Sequence, residues 1–105
     1  MELRKRFASH IESNWVQNNH SLKDIPCVYA ILGYDLFSKA KDIFYIGSTV
    51  RLHSRYKSHK VPAKVQSLNK VNILYYLPMD SGFYDYEIKL IRTLKPEFNR
   101  QHKNG

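Results

Sequence analysis

A small α+β domain is expected, and three features of the chain point to it. The 105 residues suffice for one domain with a modest core. Apolar, β-prone runs occur at 27–34, 42–47 and 71–78. Helix-like segments lie at 2–17, 51–60 and 83–95, with a short further one at 63–68. The resulting order, α-β-β-α-(α)-β-α, is a hairpin followed by helices and a third strand. One unit is expected over 1–105: an amphipathic helix within 1–20, a core over 26–99 and a tail over 100–105.

Each element has its own signal. Leu3, Phe7, Ile11 and Trp15 recur every four residues and form one stripe, with Arg4, Lys5 and Glu12 off it. The stripe reads as core packing, and the basic flank Arg4-Lys5-Arg6 as able to touch phosphates. Asn18-Asn19-His20-Ser21 marks a loop. Pro26 suits the start of a strand, and CVYAILGY follows it. The connector DLFSKAK is short enough for an antiparallel hairpin with DIFYIG. Pro62 is expected to break the helix over 51–60. VNILYYLP forms the third strand. Asp80-Ser81-Gly82 is a turn able to cap the helix over 83–95, which Pro96 ends. The tail NRQHKNG is polar and expected to fray.

Composition narrows the partners. Lys and Arg number 17 against 9 acidic residues, a net charge of +8. That balance favours a polyanion, most simply nucleic acid. The single cysteine, Cys27, excludes an internal disulfide and a Cys-rich zinc site. The lone cysteine fits an intracellular, reducing location, and no secretory signal or membrane span is expected. His10, His20, His53, His59 and His102 lack zinc-type spacing, and the four glycines form no phosphate-cradling loop.

Several side chains are candidates for chemistry. Strand alternation places Tyr29 with Cys27 and Ile31, and Tyr45 with Ile43. A hairpin register that brings both tyrosines to one face would set two phenols side by side. With eight tyrosines in the chain, ordinary sheet aromatics are the plain alternative. Arg55 and His59, four apart in a helix, share a face, and Arg51 lies in the same row. A guanidinium fork binds phosphodiester oxygens, and an imidazole accepts or relays a proton. Arg51 alone reads better as solvated surface. Glu87 falls within the apolar stripe of Tyr84, Ile88, Leu90, Ile91 and Leu94, whereas Asp85 and Glu97 lie off it. A carboxylate there needs compensation, by a divalent cation or by a nearby arginine.

Taken together, these residues resemble a known family. Val28-Tyr29 stands where the first half of the GIY-YIG nuclease motif would be, and Tyr45-Ile46-Gly47 is its second half. Arg55 follows eight residues after Gly47, then His59 one turn later, Glu87 in the last helix and Asn99 near the end. Over residues 27–99 the chain resembles a minimal single-domain GIY-YIG nuclease with an extra N-terminal helix. It departs at Cys27, where the family has glycine. Members also often carry a lysine near the second half-motif. Here Ser48 follows Gly47, leaving Lys39 or Lys41 without clear alignment.

The resemblance implies a three-stranded antiparallel sheet flanked by helices. It implies metal-dependent hydrolysis of DNA at a one-metal site, with Glu87 holding Mg²⁺ or Mn²⁺. Tyr29 would take the proton of the attacking water, and Tyr45 would order that water or touch the phosphate. Arg55 would stabilise the pentavalent state, and His59 would tune Tyr29 or accept the proton itself. Gly47 and Asn99 would support the site, Asn99 by holding the last segment and orienting Glu87. Arg51, Lys57, Lys60, Lys39 and Lys41 are the expected DNA contacts. The expected setting is cytoplasmic, in a bacterium or phage-infected cell. The enzyme would be a nicking or site-specific one from a phage or mobile element, acting alone, as a homodimer or with a targeting partner. The alternatives are a non-cleaving nucleic-acid-binding module of the same fold, and a basic interaction protein whose tyrosines and Glu87 belong to the core.

Overall fold

The computed structural model describes residues 3–18 and 22–101. In chain order they form α1 (Leu3–Asn14), β1 (Val16–Gln17), β2 (Cys27–Asp35), β3 (Lys41–Thr49), α2 (Leu52–Lys57), α3 (Val61–Gln66), β4 (Lys70–Pro78) and α4 (Phe83–Leu94). The strands make one antiparallel sheet in the order β1-β4-β2-β3. The expected loop residues Asn19, His20 and Ser21 and the tail from His102 onward lie outside the described residues.

The central position of β2 explains its nearly unbroken apolar sequence. Cys27 through Gly33 are all buried because helices cover both faces of the sheet. Val28, Ala30 and Leu32 pack with Ala8, Ile11 and Trp15 on the α1 side and Leu90, Ile91 and Leu94 on the α4 side. Cys27, Tyr29 and Ile31 pack on the opposite face with Leu52, Val61 and Val65, under α2 and α3. The α+β architecture with helix-flanked antiparallel strands is therefore as expected, and Tyr29 keeps company with Cys27 and Ile31. Among the described residues no helix is long and apolar enough to cross a membrane.

Five details differ from the sequence reading. The sheet has four strands, not three: Val16 and Gln17 pair with Tyr76 and Tyr75. Two exposed residues carry no alternation signal, and they fall in a segment whose stripe suggested continuous helix. The helix ends at Asn14. Trp15 still donates its N–H to Ile11 O and turns edge-on to Phe7, with centroids 6.2 Å apart.

The second difference is in the hairpin. Pairing shifts between Ile31 and Leu32, whose partners are Tyr45 and Ile43, so Phe44 is an extra residue. Such a bulge breaks strict alternation. Ile43 and Tyr45 consequently lie on opposite faces, and Tyr45 joins Tyr29.

Third, Pro62 does not break a helix. It sits in the first turn of α3, where a missing N–H leaves no helical bond unmade. The preceding helix has already ended at Lys57. Fourth, the turn Asp80-Ser81-Gly82 does supply the N-cap of α4, but through the glycine and not through a side chain. Gly82 is at φ 75, with no side-chain cap bond. Fifth, Tyr84 does not share the buried stripe of α4, being 55% exposed. Arg4, meanwhile, is bound to Asp42 at 2.9 and 3.2 Å and reaches the carbonyl oxygens of Leu94 and Lys95 at the end of α4.

Candidate active site

Gly47 pairs across the hairpin with Tyr29. A Cβ at position 47 would stand 2.5 Å from Tyr29 Cζ and 2.6 Å from its hydroxyl. Only glycine lets the phenol lie across the strand this closely. The glycine of Tyr45-Ile46-Gly47 is thus a packing requirement set by Tyr29. Tyr29 is 1% exposed, and half-buried Tyr45 lies beside it with centroids 6.1 Å apart.

His59 reaches this pair by a different route from the one its spacing suggests. It is not on α2 but two residues past its end, in a turn where its N–H donates to Tyr56 O at 3.2 Å. The turn folds the imidazole inward. Its Nε2 lies 3.0 Å from the Tyr29 hydroxyl, and its ring stands edge-on to Tyr45 at 4.6 Å. Val61 N–H donates to Nδ1 at 3.3 Å. In a neutral imidazole that bond assigns the proton to Nε2, so Nε2–H donates to the Tyr29 oxygen.

Burial, and then the Arg55 charge, push His59 from the usual imidazole value down to about 4. Burial first, and then Tyr45, push the Tyr29 phenol well above its ordinary range; Arg55 opposes this and Glu87 adds to it. Near neutral pH both partners of the bond are therefore uncharged.

Arg55 is exposed on α2 and faces two hollows that meet at Tyr45. One, of about 230 Å³, also contains His59 and Lys60. The other is a cleft of about 350 Å³ walled by Tyr45, Arg55, Glu87, Phe98, Asn99 and Arg100. Tyr45 belongs to the α2 and α3 face, whereas Glu87 comes from α4 on the other face. The cleft thus gathers side chains from both faces of the sheet beside its edge strand β3.

Glu87 is half-buried, and its Oε1 accepts a hydrogen bond from Ser48 Oγ at 2.5 Å. Sequence reasoning noticed Ser48 only as a missing lysine. Strand parity held the missed signal: Ser48 points the same way as Ile46, toward α4.

Asn99 is 5% exposed and behaves like one residue of an added strand. Its Oδ1 accepts from Ile46 N and its Nδ2 donates to Ile46 O, each at 2.9 Å. Phe98 N–H donates to Phe44 O at 3.0 Å. These bonds satisfy outward-facing backbone groups of β3 and fix residues 98–100 as a wall of the cleft.

The expected DNA contacts divide into two groups. Arg51, Lys57 and Lys60 are exposed around α2, near Arg55 and His59. Lys39 and Lys41 lie at the far end of the hairpin. Lys41 is four residues from Tyr45, roughly 13 Å along a strand. Its ammonium is bound to Glu12. The structure does not bring these two lysines to the cleft.

Among the described residues no cluster of three or more His, Cys, Asp or Glu side chains forms a metal cage. Cys27 is a free, buried thiol that burial pushes up to about 12. No protein-family model, curated protein or solved structure matches the chain.

Proposed function

We propose that this protein is a metal-dependent DNA endonuclease of the GIY-YIG type. The observation that carries the reading is the cleft itself, where an arginine, a carboxylate and a phenol converge beside a buried tyrosine hydrogen-bonded to a half-buried histidine. The net charge of +8 suits a polyanionic substrate.

The donor set fits Mg²⁺ or Mn²⁺ better than a cation needing a full protein cage. Magnesium is commonly held by one or two carboxylates, its other positions going to water and substrate phosphate. Glu87 is the residue that would hold it, with Ser48 fixing one carboxylate oxygen. When bound, such a metal supplies charge stabilisation at the phosphate and the leaving oxygen.

The chain's own residues do the rest. Arg55, exposed on the cleft wall, forks onto phosphate oxygens and steadies the charge that grows there. Tyr45, on the same wall, orders the attacking water. Tyr29 accepts the water's proton only as the phenolate, its own proton having first passed to solvent. The His59 Nε2–H bond and the Arg55 charge favour that form against the burial that disfavours it, and in this way His59 tunes Tyr29. Asn99 holds residues 98–100 of the cleft wall in place.

Incubation of the protein with plasmid and Mg²⁺ or Mn²⁺ is expected to give nicked or linear product. Plasmid left intact across metal and pH trials contradicts the reading. One observation favours a second reading, a non-cleaving nucleic-acid-binding module: Tyr29 is sealed at 1% exposure. Tight binding without any cut would establish that alternative.

A further inference from the structure

The tip of the β2–β3 hairpin presents Phe37 at 98% exposure and Leu36 at 66%. The turn does not need them. Its shape is held by Asp35, whose Oδ1 accepts from Phe37 N at 2.9 Å and Ser38 N at 3.0 Å. Asp35 N donates to Ala40 O at 2.8 Å, and Lys39 N to Asp35 O at 2.9 Å. All these bonds use the backbone or the Asp35 side chain, so polar residues at 36 and 37 would serve the turn as well. An apolar pair held rigidly in water points to a partner.

The surroundings say which kind. Leu36 and Phe37 border an open hollow of about 610 Å³ shared with Gln66, Asn69, Lys70 and Val71. Val71 is 41% exposed and extends the apolar surface. Gln66 and Asn69 offer exposed amides, and Lys39 is an exposed cation on the tip. A flat ring, amide donors and acceptors, and an ammonium match a nucleotide's base face, base edge and phosphate. The net charge of +8 favours that polyanion over an apolar protein surface.

The tip also adjoins a second hollow. A hollow of about 470 Å³ containing Lys41, Phe44 and Lys70 shares Lys70 with the tip. Phe44 in turn packs on Phe98 of the cleft wall at 5.7 Å, with the Lys64 ammonium 5.8 Å from the Phe98 ring. Two hollows thus adjoin at Lys70, and the Phe44–Phe98 packing stands between them and the cleft.

We propose that Phe37, with Leu36 beside it, is a stacking site for an unpaired nucleobase of the bound strand. The proposal rests on the nucleic-acid part of the nuclease reading. It adds a contact remote from the cleft and a preference for locally single-stranded substrate.

The test uses the whole chain carrying F37W, titrated with oligothymidylate. Trp15 is 6% exposed, and the unsubstituted protein supplies its background. The expected result is quenching of the added emission and its protection from acrylamide. F37A is expected to bind the oligonucleotide roughly 5- to 100-fold more weakly, the range for one lost base–aromatic stack. Its thermal midpoint should not move. Oligonucleotide bound with the F37W emission unchanged, or F37A affinity within about twofold of the parent, overturns the proposal. So does a dimer that F37A converts to monomer, which would make the tip a contact between copies. Cleavage without stacking removes this site alone, stacking without cleavage removes the nuclease reading alone, and absence of nucleic-acid binding removes both.

Discussion

Glu87 shows how single side chains set this site. Its carboxylate is half-buried yet held by a hydroxyl, a bond that fixes one oxygen while leaving the carboxylate on the cleft wall. S48A removes that bond and is expected to cost about 1 kcal/mol of stability. It should also weaken Mg²⁺ affinity, read as a higher metal concentration for half-maximal cleavage. Unchanged metal dependence would mean that Ser48 does not position Glu87. His59 gives a pH prediction. Its folded-state pKa is depressed to about 4, so the unfolded chain binds its proton more readily. The resulting stability is present above the ordinary imidazole value of about 6.5 and is lost as pH falls toward about 4. Thermal melts should show a steeper acid-side decline for the parent than for H59Q. For the same reason the cleavage rate should show no inflection near pH 6.5, about where an ordinary imidazole titrates. An inflection there would make His59 the titrating base.

At the level of elements, parity was legible in β2 but not across the bulge in β3, and the register of the hairpin was illegible. Tyr29 could be assigned to the Cys27 and Ile31 face because β2 is regular up to that point. Tyr45 could not, because DIFYIG reads the same with or without an extra residue, and the bulge at Phe44 depends on packing against distant helices. His59 was singled out by helical spacing, yet a turn beyond α2 delivers it. The imidazole thus meets the two tyrosines from a turn and not from the helix face its spacing suggested. Asn99 was legible only through the resemblance, since nothing local to a polar tail signals that it pairs with Ile46. N99A leaves the Ile46 N–H and C=O without their side-chain partners and is expected to cost about 1–3 kcal/mol. Amide exchange at Ile46 should accelerate in N99A, and cleavage should fall with it. Protection at Ile46 equal to the parent's would show that the tail is not held in this way.

For the molecule as a whole, the helix-flanked antiparallel sheet followed from the order of apolar runs, and its fourth strand was too short to announce itself. Charge was legible in sign but not in placement. Lys41 is committed to Glu12 and Arg4 to Asp42, whereas Arg51, Lys57 and Lys60 are exposed on and around α2, Lys60 lining the hollow it shares with Arg55 and His59. If about five phosphates are contacted, DNA affinity should fall by roughly 10² to 10³ between 50 and 200 mM salt. A flat response would separate the basic charge from binding.

The most direct measurement compares the parent protein with E87Q on plasmid DNA in Mg²⁺, with binding followed in parallel. Nicked or linear product from the parent, none from E87Q, and similar binding by both is the predicted outcome. Equal cutting by E87Q, or no cutting by either protein while both bind, would contradict the assignment of this cleft as a one-metal hydrolytic site.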